Sequence, residues 1–515
     1  MKQNRGKLYI VLAGLGIYAV LLVVLIAVES ASPDASITSV SSALWYTLTT
    51  LTTVGYGDLY PVTAAGRIIG AVFQLFSLGL LALIIGLTAG YLRDALLPKA
   101  VLLMKQGKPW YVFAEQTAEA DVLAGKLAEE QKEAAVVFAS AGNSTAGIST
   151  SMTPAEIVKL ARDPSQVTVF CLSDNEAENN RTAYNLRDSG CAVCCRSEYE
   201  PEHLPEKEIR FSPYELCARL YWHRFPVLKR DEKILLIGDG RYADAILEQG
   251  LMLNVTDPQQ QITYTVCGDY SAFRRLHPAL NQICHINGKA DTGDSLIFCE
   301  GPWNSKPEAV EQADRIILCS DSEDDNLAVL SMLKRYYAVS GEIHARMSMP
   351  ADGAKTFGSV DELWTPELVL HRDLSRNAVR LNDIYRQESG GNAPGWNELS
   401  SFTRRSNLAS ADHLMYKVRI LLGCDETELN PEICRTAYER FVNSTDAEKK
   451  KYREIEHERW MRFHLLNGWH YAQKRDNSRK LHPLIRPFAE LSEADQAKDD
   501  YSWLLLKDFG KKSQA

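Results

Sequence analysis

The amino-acid sequence predicts a multidomain fold: a helical segment that crosses a membrane twice, two α/β domains with parallel sheets, and a mainly α C-terminal domain. Three observations carry this. The chain holds 57 basic and 66 acidic residues, yet only five and four of them fall within residues 1–97. A strand-and-helix pattern then occurs twice, and beyond the stretch QESGGNAPG at 387–395 the composition turns helical. The expected boundaries are 1–97, 98–228, 229–385 and 396–515. A length of 515 residues excludes a small single module. A net charge of -9, all of it in the charged remainder, argues against a nucleic-acid partner.

Residues 8–28 and 68–92 carry no charge. At 1.5 Å per residue each crosses roughly 30 Å of hydrocarbon. The spans are therefore expected over 8–28 and 64–92, with lipid as a partner. Lys2, Arg5 and Lys7 precede the first span, and Arg93, Lys99 and Lys105 follow the second. That bias puts both termini of a multi-pass protein on the cytoplasmic side of an inner (plasma) membrane.

Between the spans, residues 38–58 form an amphipathic stretch too short to cross that ends in Thr53, Val54, Gly55, Tyr56, Gly57 and Asp58. Non-helical backbone at membrane depth survives only inside protein or along a polar path. Glycines at 55 and 57 permit the positive φ that turns successive carbonyls to one side. Four such loops around an axis would replace the water shell of potassium ions. Trp45, Tyr46, Thr52, the GYGD core and Pro61 resemble the potassium-channel pore family over residues 8–92. The likeness implies a homotetramer with potassium ions in the filter and Thr53 as the innermost ring. No arginine-rich span precedes the pore, so membrane potential is not the expected gate.

The charged part contains an internal repeat. Residues 167–198 parallel 314–348, each with a buried strand, a Ser-Asp-x-Glu turn, an amphipathic helix and a second strand. Strands alternating with helices at this spacing predict one parallel, Rossmann-like sheet per repeat. In the second repeat a strand runs into Gly238, Asp239, Gly240, Arg241 and Tyr242, the turn that brings a phosphate to a helix N-terminus, with Asp269 placed to meet ribose hydroxyls. Ala114, Glu115 and Gln116 stand at that point in the first repeat, which is expected to be a structural partner. Paired domains of this kind behind a two-span pore resemble the regulator-of-potassium-conductance (RCK) family over residues 108–372, which implies gating by a bound nucleotide or divalent ion. Asp321, Glu323, Asp324 and Asp325 are read as helix-capping acids rather than calcium ligands, and no metal is expected beyond filter potassium.

All eleven cysteines follow Leu92 and are expected to be reduced; Cys191, Cys194 and Cys195 are read as buried. The C-terminal motifs FTRRSNLASADHLMYKVRILLG and IEHERWMRFHLLNGWHYAQKRDNSRKLHP resemble the ryanodine-receptor (RyR) repeat domain over residues 400–505. Aromatic faces and cations suit a nucleotide, so Arg404, Asn407, His457, Trp460, Trp469, Arg475 and Lys480 are the expected ligand contacts. No Walker lysine, paired catalytic carboxylates or ordered Ser, His and Asp set is visible, and no enzyme activity is expected. The functional expectation is a potassium-selective channel gated by a cytosolic nucleotide-type ligand. The alternative is a calcium- or dinucleotide-gated channel whose RyR domain is a protein-binding scaffold.

Overall fold

The computed structural model describes residues 2–140, 144–288, 293–388, 390–424 and 429–509. Two compact units emerge, Met1–Met104 with Ser149–Met152, and Lys105–Ile148 with Thr153–Ala515.

The first unit has two helices long and apolar enough to cross a membrane, Lys2–Glu29 and Ala64–Tyr91. A shorter helix, Val40–Leu51, lies between them in sequence. It starts where Ser39 and Ser42 cap each other, the Ser42 N–H donating to Ser39 Oγ at 3.1 Å. Tyr18, Leu25, Tyr46 and Phe73 form the shared core, whereas Leu12, Val20, Leu75 and Leu78 stay exposed. Apolar surface left outside a core on two such helices suits lipid or sister subunits. Glu29 ends the first long helix. It is fully buried, and its carboxylate accepts from the backbone of Val62 (2.9 Å) and Thr63 (3.0 Å) and from the Thr63 hydroxyl (2.6 Å). Thr63 is in turn the N-cap of the second long helix. A Cβ at Gly66 would lie 1.9 Å from Glu29 Oε1, so this approach requires glycine. The second helix does not stop at 92 or 97: a π turn, Leu92–Leu96, leads into Leu97–Met104.

In the second unit both sheets are parallel. Five longer strands of the first run in spatial order Ala135–Phe138, Trp110–Phe113, Val167–Cys171, Ala192–Arg196 and Glu208–Phe211. The second sheet has seven strands and places Lys233–Ile237 between Arg315–Leu318 and Thr263–Cys267. The repeat holds at the level of single atoms. Asn179 Oδ1 accepts from Ser173 N (3.0 Å), and its amide donates to Ser173 O and Arg196 O. Asn326 makes the same three bonds with Ser320 N, Ser320 O and Arg346 O. Each asparagine ties the first turn of its helix to the ends of two strands.

One apolar cluster crosses the expected boundaries, whereas another stays within the second α/β region. Phe113, Trp222, Leu247, Phe463 and Trp469, which span all three regions, belong to one apolar cluster. Helices Pro213–Arg224 and Arg241–Leu253 meet where Trp222 Nε1 donates to Ile246 O at 2.8 Å. The C-terminal helices Ser401–Leu422 and Asp446–Leu466 are bound to the second α/β region by His413 Nε2 donating to Val255 O (2.8 Å) and by Arg462 pairing with the buried Asp294 (2.8 Å). The C-terminal helices thus pack directly on the second α/β region. In the basic loop after Trp469, His470–Tyr471 and Leu481–His482 pair in parallel, and Asp476 and Leu481 form an antiparallel bridge.

Candidate ion filter and ligand sites

Thr53, Gly55 and Gly57 have φ of +60°, +55° and +73°, and Val54 and Tyr56 between them do not share it. Alternation of left- and right-handed residues turns successive peptide groups toward one side of the chain, the arrangement a ring of carbonyl ligands requires. For a β-branched residue such as Thr53 this conformation is strained, and strain of that kind gathers at functional sites. The short helix holds the loop. Gly55 N donates to Thr49 O (3.0 Å), Trp45 Nε1 donates to Asp58 Oδ2 (2.7 Å), and the Trp45 ring stacks on Tyr56 at 5.9 Å with planes 2° apart. Asp58 is therefore a tie to the helix Val40–Leu51.

The glycine turn is present, but something fills it. Gly238 (φ +140°) and Gly240 (φ +95°) bring the chain so close to residues 320–321 that a Cβ at Gly240 would lie 2.4 Å from Asp321 Oδ2. That carboxylate accepts from Arg241 N (3.1 Å) and Tyr242 N (2.9 Å), the donors a bound phosphate would use. Arg346 fixes the turn that carries it, donating to Ser320 O (3.0 Å) and Asp321 O (2.7 Å) while lying 4.3 Å from the Tyr242 ring. Burial pushes the Asp244 carboxyl up to about 6, with Asp321, Glu248, Asp269 and Asp239 adding like charge. A phosphate would meet an acidic mouth there. In this structure the cradle of Gly238, Asp239, Gly240, Arg241 and Tyr242 holds this chain's own anion. Asp269 closes its own loop, accepting from Ser271 N at 2.9 Å. Ser322 caps the following helix, with Glu323, Asp324 and Asp325 in its first turn; among the described residues no group of three or more His, Cys, Asp or Glu could hold a metal ion.

The expected RyR-region contacts separate into two sets. Arg404 is buried, paired with Glu200 at 2.6 Å, and donates to the carbonyls of Leu399 (2.6 Å) and Pro201 (2.9 Å). Its role is structural, joining this helix to the first α/β region, and its guanidinium is already engaged by these partners. Asn407 is buried beside Asn382. Trp469 is buried and stacked on Phe402 at 4.9 Å. Trp460 is half-buried, with its faces taken by His457 (5.7 Å) and His464 (3.9 Å) and an edge contact to His482. His457 Nε2 donates to Arg486 O at 2.8 Å. Burial holds His464 down to about 3 and His482 to about 4, so both are neutral near pH 7. Only Arg475 and Lys480, with Tyr471, remain on the surface. The roles of His464 and Phe402 carry no sequence signal beyond their aromatic character. Cys191, Cys194 and Cys195 are buried, and burial pushes the Cys194 thiol to about 12 and Cys195 to about 11.

Residues 9–94 match the ion-channel family, and residues 439–504 match the RyR domain family. The first unit carries an ion-channel domain. A voltage-gated potassium channel of Aeropyrum pernix is 42% identical over 69 residues, 13% of this chain and 23% of that protein. The potassium voltage-gated channel protein Shal of Drosophila melanogaster is 50% identical over 46 residues, 9% of this chain and 8% of that one. This chain thus spans less than a quarter of the length of either relative. Among solved structures, GsuK bound to ADP aligns with 71% of this chain and 100% of its own at 16% identity and a TM-score of 0.35. GsuK bound to NAD aligns with 72% and 86% at 14% identity and the same score.

Proposed function

We propose that four copies of this chain form a potassium-selective channel in a cell membrane, with both termini cytoplasmic and the gate worked by a small nucleotide-type ligand on the second unit. The observation that carries the pore reading is the alternation of positive φ at Thr53, Gly55 and Gly57, braced by Trp45. Such a loop offers dehydrated cations a column of peptide oxygens, and a single copy closes no ring. Sequence identity to potassium channels over this same stretch agrees. Ligand gating follows from covalent continuity, since the second long helix runs on to Met104 and the α/β unit begins at Lys105. A ligand that prefers one arrangement of that unit shifts the pore equilibrium by its differential affinity, about 5.5 kcal/mol for a full swing. The covered faces of Trp460 and Trp469 favour a second reading for the RyR region alone, as a protein-binding scaffold. Reconstituted full chain tests the pore: uptake of a potassium surrogate that sodium does not match supports it, and equal passage of both ions refutes it.

A further inference from the structure

Where the first sheet's edge, the 368–375 segment and helix Ser401–Leu422 meet, they enclose a cavity of about 330 Å³. That is at the lower end of the roughly 300–1,000 Å³ of small-molecule sites. Five arginines line it, and four are satisfied by carboxylates: Arg210 by Glu208 (2.6 Å), Arg219 by Asp412 (2.6 Å), Arg404 by Glu200 (2.6 Å) and Arg405 by Glu248 (3.6 Å). The fifth differs. Among the described residues Arg372 has no ion pair or side-chain hydrogen bond, and it stands at φ +55°, a left-handed conformation uncommon for anything but glycine. Burial lowers its affinity for its proton against the opposing pull of Cys194 and Glu200, and Arg404 and Arg219 lower it further. A partly buried guanidinium that lacks a direct ion pair is costly to keep beside other cations, and strained residues persist where function over-determines them.

The remaining wall suits the body of an organic anion. Leu368, Leu374 and Phe211 supply apolar surface, and Trp396 is 9% exposed with an indole N–H that has no partner. The one acid facing in without a bound partner is Glu215. Burial pushes its carboxyl up, against the pull of Arg405 and Arg219.

We infer that this cavity is the binding site for a phosphorylated small molecule of mononucleotide size, its phosphate held by the planar fork of Arg372 and its body against Leu368 and Trp396. The guanidinium fork matches a phosphate bidentately. Because helix Ser401–Leu422 forms one wall and the first α/β region another, an occupied cavity stiffens the joint between them. The inference deepens the ligand-gating reading, whose consequence for the pore rests on that reading, although binding itself does not.

The test is calorimetric titration of purified full-length protein with AMP, inorganic phosphate and adenosine. Wild type is expected to bind AMP and, more weakly, phosphate. Arg372→Gln is expected to weaken both by about tenfold or more, with adenosine unchanged and Arg372→Lys recovering part of the loss. Leu368→Trp, which fills the cavity and leaves the charge in place, is expected to abolish AMP and adenosine binding. AMP affinity equal in wild type, Arg372→Gln and Leu368→Trp overturns the inference, as does an absence of heat with both AMP and phosphate in wild type. Ion flux is measured separately: binding without potassium selectivity defeats the channel reading alone, and selective flux without binding defeats this site alone.

Discussion

Asp321 Oδ1 lies 2.9 Å from the backbone N–H of Tyr242, so a side chain 79 residues further along the chain closes the helix terminus that the glycine turn opens. The same carboxylate holds Arg241 N at 3.1 Å. Two charge-assisted bonds and a dipole end favour an anion there, and the protein supplies it. Removing Asp321 should expose the cradle. Asp321→Ala is expected to gain affinity for ADP in a titration of the full chain and to lose about 1 kcal/mol of stability, as for a lost cap. ADP that binds wild type and no longer binds Asp321→Ala would contradict the account.

Asn179 and Asn326 offer a paired prediction. Each is buried and makes three bonds to strand ends, and truncation leaves backbone groups unsatisfied. Asn179→Ala and Asn326→Ala should each cost roughly 2 kcal/mol in denaturant unfolding. Near-equal losses would support equivalent roles in the two repeats. A neutral result for either one breaks the equivalence.

Arg404 and Arg475, alike as cations in the sequence, should behave in opposite ways. Arg404→Ala abandons the Glu200 carboxylate and is expected to cost roughly 3 kcal/mol, tempered by the partial exposure of Glu200. Arg475→Ala on the exposed loop should stay within about 0.5 kcal/mol. Thermal melts of the two variants separate the roles; similar shifts would mean that Arg475 is also structural.

Histidines 464 and 482 predict acid sensitivity. Their ordinary value is near 6.5, and burial lowers them to about 3 and about 4. Between those limits the unfolded chain binds protons that the folded chain refuses, so their contribution is fully present above pH ~6.5 and is lost as pH falls. By pH 5 each accounts for roughly 2 kcal/mol. Asp499, raised to about 8 by burial and by Glu456, acts in the opposite sense, gaining stability as pH falls. Comparing wild type with His464→Gln isolates the histidine contribution: the variant should show a flatter decline between pH 7 and pH 5 than wild type, and a parallel decline would refute it.

The legible parts of the molecule were those where local chain geometry carries the information. Gly55 and Gly57 announce positive φ, the uncharged runs announce two long helices, and the two Ser-Asp-x-Glu turns announce a duplicated sheet. What the sequence hid was every decision made by a distant partner. Nothing near Gly240 hints that Asp321 occupies its turn, and nothing near Arg404 points to Glu200, 204 residues upstream. A basic residue in a polar helix reads as surface until its carboxylate is located. Trp469 misled for a related reason, since an aromatic ring offers the same face to a nucleotide as to Phe402. Glu29 was legible only as a charge near a span end, and its burial against Thr63 depends on the return of the chain after the filter.

The most direct test of the central claim is the reversal potential of the full chain in planar bilayers with potassium on one side and sodium on the other. A stack of peptide oxygens at Thr53–Gly57 requires a reversal potential close to the potassium equilibrium value, which moves toward zero when Gly55→Ala disturbs the alternation. A wild-type current that reverses at zero, showing no preference between the two cations, would contradict it.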